Sequence, residues 1–396
     1  MPLVLFYSMV MKQEQEESKK NIYITTNVAC NLRCTYCYEN KIGNDEFDVE
    51  QTKQKLFEQL SAPSDESVIV NLHGGEPFLV FSKIKELSEW TWAQDFKTHY
   101  VFFATTNGTK VHGVIKDWLY ENRHRFVAGL SLDGTREMQN MNRSNSFDLI
   151  DIDFFAKTWP NQGVKMTVSP KSIETLADGV MFLHSVGLHN ILVNLAYMVD
   201  WSAPHFVHVY QRELRRLAKF YKENPDLKKD SIFNLCFPIL VSEQGRTRRW
   251  CGAGVEMMAY NIDGTQYPCH LFFENVCGKE KSQAWHDIDW ANPKEYISEE
   301  CSKCPLYPTC PTCYGANYIE RGSIGSRDMN LCKLEKVRTL EVAKYEYDRI
   351  VNSKEDTNSL SVEELQSRRA TLEAIEKIVP LLESIEQELK DMNVGV

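Results

Sequence analysis

Alternating strand and helix patterns between residues 22 and 195 constrain the fold of this chain more than any other feature of its sequence. Short β-prone runs occur at residues 22–27, 68–72, 100–104, 126–132, 165–168 and 191–195. Amphipathic helical stretches are predicted between them, near 48–60, 81–94, 111–122, 147–157 and 172–186. Six βα units in succession imply a parallel sheet. Six units instead of eight predict an α/β protein with a partial, opened (β/α)6 barrel of the TIM type.

The residues suited to chemistry follow the predicted strands. Cys30, Cys34 and Cys37 come after the first strand, and polar or glycine-containing stretches at 73–77, 106–108 and 131–134 come after the next three. Functional groups of such barrels collect at the carboxyl ends of the strands. The sequence therefore predicts that all of these residues line one rim.

Cys30, Cys34 and Cys37 have the spacing C-x3-C-x2-C, so that all three can reach one metal cluster from one short loop. A [4Fe–4S] cluster normally takes four cysteine ligands, so three leave one iron open to a substrate or cofactor. The alternatives are a zinc knuckle, a disulfide loop or three core cysteines. A closed zinc site would need a fourth ligand, which this stretch lacks.

Bulk properties narrow the class of protein. The 396 residues exceed what one hydrophobic core usually supports, so two or three domains are expected. The net charge of −10 argues against nucleic acid as a partner, and no apolar run approaches the length needed to cross a membrane. Twelve cysteines without a signal peptide predict metal binding in a reduced cytoplasm.

The cysteine loop, with the aromatic Tyr36 before its third cysteine, resembles the signature of the radical S-adenosylmethionine (SAM) enzymes. The resemblance implies that a [4Fe–4S] cluster on the three loop cysteines binds and cleaves SAM. A second stretch, Gly74, Gly75, Glu76 and Pro77, looks like the motif that pairs with the amino group of the cofactor's methionine. Its paired glycines would let the backbone approach a ligand closely.

Other SAM contacts carried over from this resemblance are single residues. Ser131 and Arg143 look like the family residues that hold the SAM ribose and carboxylate, since a guanidinium binds a carboxylate through two hydrogen bonds. Asn107 is either a cofactor contact or a residue that serves the turn. Leu195 belongs to the stretch 194–197, which would lie near the adenine.

A second cysteine cluster begins at Cys251, and residues 260–269 read as a β-hairpin turned by Asp263 and Gly264. The order C-x12-G-x4-C, then C-x2-C-x5-C-x2-C, then C resembles the SPASM domain, an auxiliary-cluster module of peptide-modifying radical SAM enzymes. The family usually has three residues, not two, between the cysteines equivalent to Cys310 and Cys313. Zinc-ribbon cysteine pairs are the alternative.

The SPASM resemblance implies two auxiliary [4Fe–4S] clusters, and therefore three clusters in the chain. One would bind Cys301, Cys304, Cys310 and Cys332. The other would bind Cys251, Cys269 and Cys313, so it is completed by Cys277 or left open to a substrate thiolate.

The predicted domains are an N-terminal extension at 1–20, the barrel at 21–200, a helical bridge at 201–245, the SPASM domain at 246–335 and C-terminal helices at 336–396. The bridge is predicted to hold a helix at 205–229 and a strand at 231–240, with Cys236 as a small packing residue. In the tail, helices are predicted at 331–351 and 362–392, with a kink at Pro380. The apolar stripe of the second helix either folds back onto the body or forms a dimerisation arm, so the chain is predicted to be a monomer or homodimer.

Three functions are compatible with these motifs. The first is a maturase of ribosomally made peptides that forms an oxidative cross-link, with a thioether favoured. The second is an anaerobic sulfatase maturase that makes formylglycine, but its pattern places an Asp base where this chain has His270. The third is a non-catalytic iron–sulfur electron carrier. The implied partners of an enzyme are a precursor peptide and a flavodoxin- or ferredoxin-type reductant, and the leader peptide would be recognised by a separate protein or by an exposed sheet edge.

Overall fold

The structure is a computed structural model that describes residues 20–41, 43–62, 67–352 and 360–393. Most of the predicted N-terminal extension at 1–20 lies outside the described residues. Within the described ranges, no helix combines the length and the apolar character needed to cross a membrane.

Parallel strands form the frame of the barrel, as the alternating pattern predicted. They are β1 Lys20–Asn27, β2 Val68–Gly74, β3 Tyr100–Thr106, β4 Phe126–Leu130, β5 Val164–Val168 and β6 Ile191–Leu195. Strands β1 to β4 pair in sequence order, and β5 pairs with β6. A parallel bridge between Ser131 and Lys165 links the two groups. The predicted α/β partial barrel is confirmed.

The auxiliary region also contributes to this sheet, which the sequence did not reveal. Strands β7 Met257–Tyr260 and β8 Gln266–Tyr267 form the predicted hairpin. Strand β7 then pairs in parallel with β1, with Ile22 opposite Met258. The sheet order is therefore β4-β3-β2-β1-β7-β8, and the auxiliary cysteines are attached directly to the edge of the barrel.

The two faces of the sheet differ in polarity. Ile22, Val70, Phe102 and Phe126 stand in register on the outer face and are fully buried. The opposite face carries polar side chains, with Thr25 in register with His73 on the next strand. Because side chains alternate along a strand, the apolar face is covered by helices and the polar face bounds the interior of the barrel.

Helices cover the outer face and form the bridge. The helices of the barrel are Val49–Ser61, Phe81–Trp92, Gly113–Glu121, Arg136–Asn142, Ile152–Thr158 and Leu176–Ser185. Aspartates cap two of them: Asp48 accepts from the Gln51 amide at 2.8 Å and Asp151 from the Phe154 amide at 3.1 Å. The bridge helix is His205–Glu223, which ends six residues before the predicted residue 229.

The predicted strand at 231–240 is wrong. This segment is irregular and ends in a 3-10 helix, Phe237–Val241, with Cys236 as its N-cap and Pro238 near its start. Proline lacks the amide hydrogen that a sheet ladder needs and is tolerated at the first turn of a helix. The apolar side chains of this segment, such as Phe237 and Ile239, are buried in the core without forming a strand.

Short helices dominate the auxiliary region. They are Glu274–Cys277, Lys279–Ala284, Pro293–Tyr296, Glu299–Ser302 and Tyr314–Arg321. The chain then forms two long helices, Met329–Val351 and Val362–Asn393, and the second runs through Pro380 without interruption. Its stripe of Ile375, Ile378 and Ile385 is buried in the main core. The tail therefore folds back onto the body, as the first of the two interpretations predicted.

Candidate active site

A cavity of about 360 Å³ lies between the rim of the barrel and the auxiliary region. The barrel side is lined by the three loop cysteines and by most of the predicted SAM contacts: Tyr36, Gly74, Gly75, Glu76, Asn107, Ser131, Arg143 and Leu195. The auxiliary side is lined by His270, Leu271, Cys313 and Ala316. The predicted rim therefore converges on one cavity, and an auxiliary cysteine faces it.

The three loop cysteines sit together on a braced loop. The Leu32 amide donates to the Cys30 sulfur at 3.4 Å, and the Cys37 amide donates to the Cys34 carbonyl at 3.1 Å. Lys41 interacts electrostatically with all three thiols and donates to the Leu32 carbonyl at 2.8 Å. A set of three thiols with a nearby cation suits an anionic iron–sulfur cluster, because thiolates are the ligands of such clusters.

All twelve cysteines lie in the described part of the chain, and no two form a disulfide. No three His, Cys, Asp or Glu side chains of the described residues converge as ligands of a single metal ion. The zinc and iron–sulfur interpretations of these cysteines both stay predictions.

Gly74 and Gly75 support the start of the cysteine loop. The Gly75 amide donates to the Asn27 carbonyl at 3.0 Å, and the Glu76 amide donates to the Ala29 carbonyl at 2.9 Å. A Cβ atom on Gly75 would lie 2.1 Å from the Ala29 carbonyl oxygen, which no real structure tolerates. The glycines are therefore required by the close approach of two protein segments, a role beyond the predicted approach to a ligand.

Glu76 and Pro77 shape the same turn. The buried Glu76 carboxylate accepts from the Thr106 hydroxyl and the Asn107 amide, both at 2.8 Å, and from the Phe78 amide at 3.2 Å. Burial raises the pKa of Glu76, although these hydrogen bonds act in the opposite direction. Pro77 begins a 3-10 helix and is buried away from the cavity.

Arg143 is held by a buried polar network. Its Nε lies 3.0 Å from the Asp133 carboxylate, which also accepts from the Tyr36 hydroxyl at 2.6 Å. Burial opposes the charge of Arg143, but Asp133, Tyr36 and Cys34 together outweigh it, so the pKa of Arg143 lies above its usual value. The guanidinium stays cationic beside the cavity, which fits the predicted contact with a carboxylate.

The remaining predicted SAM contacts, Asn107, Ser131 and Leu195, have different neighbours in the structure. Asn107 donates to the Asn31 side chain at 3.0 Å and lies 3.9 Å from the Cys30 sulfur, so it braces the cysteine loop. Ser131 is buried at the end of β4, and its amide donates to the Thr106 carbonyl at 2.9 Å. Leu195 ends β6 and lines the cavity. Their contacts with SAM stay predictions.

The auxiliary cysteines form two groups. Buried Cys269 interacts electrostatically with Cys313 and Cys251, and burial raises its pKa. Cys313 caps the helix Tyr314–Arg321, where its sulfur accepts from the Ala316 amide at 3.5 Å. Because buried neutral thiols bind metal by releasing protons, this group of three is chemically suited to iron.

The second group contains Cys301, Cys304, Cys310 and Cys332. The thiol of Cys332 interacts electrostatically with Cys304 and Cys301, and that of Cys310 with Cys332 and Cys301. These electrostatic neighbours agree with the grouping that the SPASM resemblance implied, and the grouping itself stays a prediction. The assignment of clusters to them stays a prediction.

The sequence did not decide whether Cys277 is a ligand of the cluster predicted on Cys251, Cys269 and Cys313. Cys277 ends the helix Glu274–Cys277, and its thiol donates to the Gly278 carbonyl at 3.6 Å. Its electrostatic neighbours include Lys281 and Glu274, and it raises the pKa of Tyr318. These surroundings favour a role outside the group of Cys251, Cys269 and Cys313.

Sequence reasoning missed a polar group inside the barrel. The Tyr38 hydroxyl lies 2.9 Å from His270 Nε2 and 3.4 Å from His73 Nε2, and His73 lies 3.5 Å from Glu39. Lys165 on β5 also lines the cavity, and its Nζ donates to the Thr105 hydroxyl at 3.0 Å. For His73 and Lys165, the signal in the sequence was the alternation of side chains along a strand, which places both residues on the inward-facing side of β2 and β5.

Comparisons with known proteins agree with this site. Residues 7–148 match the family described as a 4Fe-4S single cluster domain. The chain is 30% identical over 339 residues to the cysteine-type anaerobic sulfatase-maturating enzyme of Clostridium novyi (strain NT), a match that covers 77% of this chain and 90% of the relative. It is 27% identical over 327 residues to the enzyme of the same name from Clostridium perfringens (strain 13 / Type A), covering 71% of this chain and 84% of the relative.

Solved structures share the fold. Native anSMEcpe with bound AdoMet, which is SAM, superposes with a TM-score of 0.60 at 18% identity, covering 84% of this chain and 98% of that one. Streptococcus suis SuiB bound to the precursor peptide SuiA superposes with a TM-score of 0.51 at 16% identity, covering 82% of this chain and 79% of that one. The cysteine loop, the cavity and the matches lead to one conclusion: this chain is a maturase-type enzyme of the radical SAM family that includes the cysteine-type anaerobic sulfatase-maturating enzymes.

Proposed function

We propose that this enzyme oxidises a ribosomally made peptide and joins a cysteine sulfur of that peptide to a carbon atom, forming a thioether. The observation that carries the proposal is the single cavity bounded by the loop thiols on one side and by Cys313 on the other. A peptide substrate is supported by the precursor peptide bound to SuiB, a protein of similar fold. When bound at the loop, cluster and SAM supply a one-electron cleavage that yields a 5′-deoxyadenosyl radical.

The residues of this chain would position the cofactor. Arg143, kept cationic by Asp133, would bind the methionine carboxylate, and Ser131 would bind the ribose. Tyr36 and Leu195 would enclose the adenine side of the cavity. Gly74 and Gly75 keep the backbone close enough to the cysteine loop for the methionine amino group to meet their carbonyl groups.

The auxiliary group of Cys251, Cys269 and Cys313 would hold a cluster with one open iron, because the surroundings of Cys277 lie elsewhere. That iron would bind the substrate thiolate and lower its pKa. In the overall reaction the substrate carbon would give a hydrogen atom to the 5′-deoxyadenosyl radical, which leaves as 5′-deoxyadenosine, and the sulfur would lose a proton to solvent. One electron is released when the carbon–sulfur bond forms, and the auxiliary clusters would accept it.

Formylglycine formation is the second candidate, and the sulfatase-maturating relatives favour it. In this chemistry a base must take a proton from the oxidised residue. His270 lines the cavity directly after Cys269, at the position where the resemblance implies an Asp base. A neutral imidazole in place of a carboxylate changes the charge of the site, which is why we place the thioether first.

A reaction product distinguishes the two candidates. The reconstituted enzyme is incubated anaerobically with SAM, a reductant and a cysteine-containing candidate peptide, and the peptide is analysed by mass spectrometry. We expect a product that has lost two hydrogens and kept its sulfur. A product that has lost sulfur would indicate formylglycine, and a fully reconstituted enzyme that releases no 5′-deoxyadenosine would contradict both candidates.

The proposed assembly includes partners and a location. We propose three [4Fe–4S] clusters, a flavodoxin- or ferredoxin-type reductant and the reducing cytoplasm, because the thiols of this chain must remain reduced to bind iron. A separate protein would deliver the leader of the peptide. Co-purification of a small protein that increases peptide turnover would support this part of the proposal.

A further inference from the structure

Lys165 is a cation enclosed in the cavity without a carboxylate partner. Its Nζ donates to the neutral Thr105 hydroxyl at 3.0 Å and lies 5.8 Å from the centre of the Phe103 ring. Within the described residues, Lys165 forms no ion pair with any carboxylate. An ammonium group has three hydrogen-bond donors, so it can accept further partners from the cavity.

The direction of the Lys165 side chain places its charge inside the barrel. The backbone of Lys165 pairs with Ser131, the predicted ribose contact at the carboxyl end of β4. From there the side chain reaches back to Thr105 and Phe103 on β3, and Phe103 lies against the bare backbone of Gly129. The ammonium therefore lies on the inner side of the predicted cofactor position, where a substrate would face the cofactor.

The electrostatics of this position favour an anion. Burial, with a smaller contribution from the Arg143 guanidinium, lowers the pKa of Lys165 to about 8. Burial removes water from the ammonium and Arg143 repels it, so the positive charge here is left without compensation. A carboxylate entering the cavity would provide it and would form charge-assisted hydrogen bonds with Nζ and with the Thr105 hydroxyl.

We propose that Lys165 and Thr105 form a subsite that binds a carboxylate of the substrate peptide, next to the residue that is oxidised. This inference rests on the proposed peptide substrate. The cofactor's own carboxylate is expected to meet Arg143, which is already anchored by Asp133 at the rim. The peptide would therefore carry an acidic side chain, or its own C-terminus, near the modified residue.

The first experiment tests the anion subsite without any peptide. The SAM-loaded holoenzyme is reductively methylated with formaldehyde and dimethylamine–borane, and methylation of Lys165 is quantified by mass spectrometry. We expect propionate to slow the methylation of Lys165 at least about tenfold more than propionamide, as the strength of charge-assisted hydrogen bonds implies. Lys85, whose side chain is 43% exposed and pairs with Glu89, serves as the control, which neither compound should protect. Equal protection of Lys165 by propionate and propionamide would overturn the subsite.

The second experiment tests the substrate. Immobilised, SAM-loaded holoenzyme selects from a C-terminally amidated peptide library with a fixed central cysteine, and a parallel library has free C-termini. We expect the wild-type enzyme to enrich Asp or Glu over Asn and Gln by about tenfold at one position, or to prefer the free C-termini. Lys165→Met should lose this preference and Lys165→Arg should keep it, while Lys116→Met is the surface control.

Retained iron in each variant checks that it has folded. An unchanged preference of Lys165→Met for Asp or Glu would overturn the proposal. An equal loss of SAM affinity and peptide affinity in this variant would also overturn it, because the ammonium would then bind the cofactor. If propionate protects Lys165 but no peptide is retained by the wild-type enzyme, the subsite stands and the proposed peptide function fails.

Discussion

The barrel loop and the auxiliary region hold their cysteines in different ways. The loop that carries Cys30, Cys34 and Cys37 is fixed by backbone hydrogen bonds to the ends of regular strands, including those from Gly75 and Glu76. The auxiliary cysteines lie on short turns and helix ends. Three of them, Cys251, Cys269 and Cys313, belong to a separate small core in which Phe272 stacks on Tyr318 at 5.1 Å and meets Trp290 edge-on at 5.5 Å, whereas Cys304 packs against the main core.

Because of this difference, each site is vulnerable to a different kind of substitution. A loop supported by close backbone approach fails when a single atom is added, because backbone cannot move aside as a flexible side chain can. A site enclosed by aromatic side chains tolerates small changes but depends on its own core. The two regions should therefore lose their iron independently, and the predictions below test that independence.

The largest effect is expected from Cys34→Ala. Removing one of three loop thiols should abolish SAM cleavage, because the loop would no longer hold a cluster. The auxiliary groups should remain loaded, since their ligands lie on other elements. The iron content should fall from about twelve to about eight atoms per chain, as three clusters of four irons imply.

The matched variant Cys301→Ala should lose auxiliary iron and keep the loop cluster, measured by its SAM-dependent spectral change. If either substitution removes all of the iron, the two regions are not independent.

A second test targets the backbone support of the loop. Gly75→Ala would place a Cβ atom 2.1 Å from the Ala29 carbonyl oxygen, so the cysteine loop must shift. We expect the free energy of unfolding to fall by about 2 kcal/mol or more and the loop cluster to be lost with SAM binding. Urea unfolding and iron analysis measure both effects.

Gly113→Ala is the control for this variant. A Cβ atom there meets nothing within 4 Å, although the φ of +49° adds strain. Its cost should be about 1 kcal/mol, without loss of iron. Full retention of the loop cluster in Gly75→Ala would show that the glycine pair does not brace the loop.

The sequence predicted the fold because strands and helices leave local signals, and the cysteine groups drawn from their spacing stay a prediction. Strand periodicity located β1 to β6, and fixed spacings located the cysteines. The predicted strand at 231–240 was wrong because the prediction relied on the apolar pattern of this segment. Pro238 instead favours the start of a helical turn. The same apolar residues are buried in either case, so periodicity alone could not distinguish the two structures.

Lys165 shows what sequence reasoning could not reach, because it is a single residue without a motif. The sequence did single out His270 as the residue in place of an Asp base, but its entry into the cavity depends on tertiary structure. Lys165 depends on the register between β4 and β5, and His270 depends on how the auxiliary region packs against the barrel through β7. Local patterns contain no information on either arrangement.

A third test concerns the auxiliary group alone. Cys277→Ala should keep the full iron content and activity, because Cys277 has its own surroundings near Lys281. Cys269→Ala should still cleave SAM but release unmodified peptide. Addition of the peptide should change the spectrum of the auxiliary cluster in Cys277→Ala as it does in the wild type. Loss of about four irons in Cys277→Ala would mean that the site is closed and that no substrate sulfur binds there.

The smallest expected effect uses pH to separate the two regions. His184 is buried in the barrel, with Nε2 3.3 Å from the Tyr221 hydroxyl and Nδ1 3.2 Å from His189 Nδ1. Burial, and then His189, lowers the pKa of His184 to about 4. Between about pH 6.5 and about pH 4, His184 is therefore protonated in the unfolded chain and neutral in the folded chain.

The contribution of His184 to stability is thus fully present above pH of about 6.5 and is lost as the pH falls toward 4. The free energy of unfolding should fall between pH 7 and pH 5 in the wild-type protein. In His184→Gln this fall should be smaller by about 1 kcal/mol, after allowance for partial solvation of His184. Urea unfolding of the holoenzyme at both pH values measures this, with the exposed His124→Gln as control. Because the contacts of His184 with the described residues are to barrel and bridge residues such as His189, Phe220 and Tyr221, auxiliary iron should be released at the same pH in both variants. A change in auxiliary iron release would show that acid acts on the two regions together.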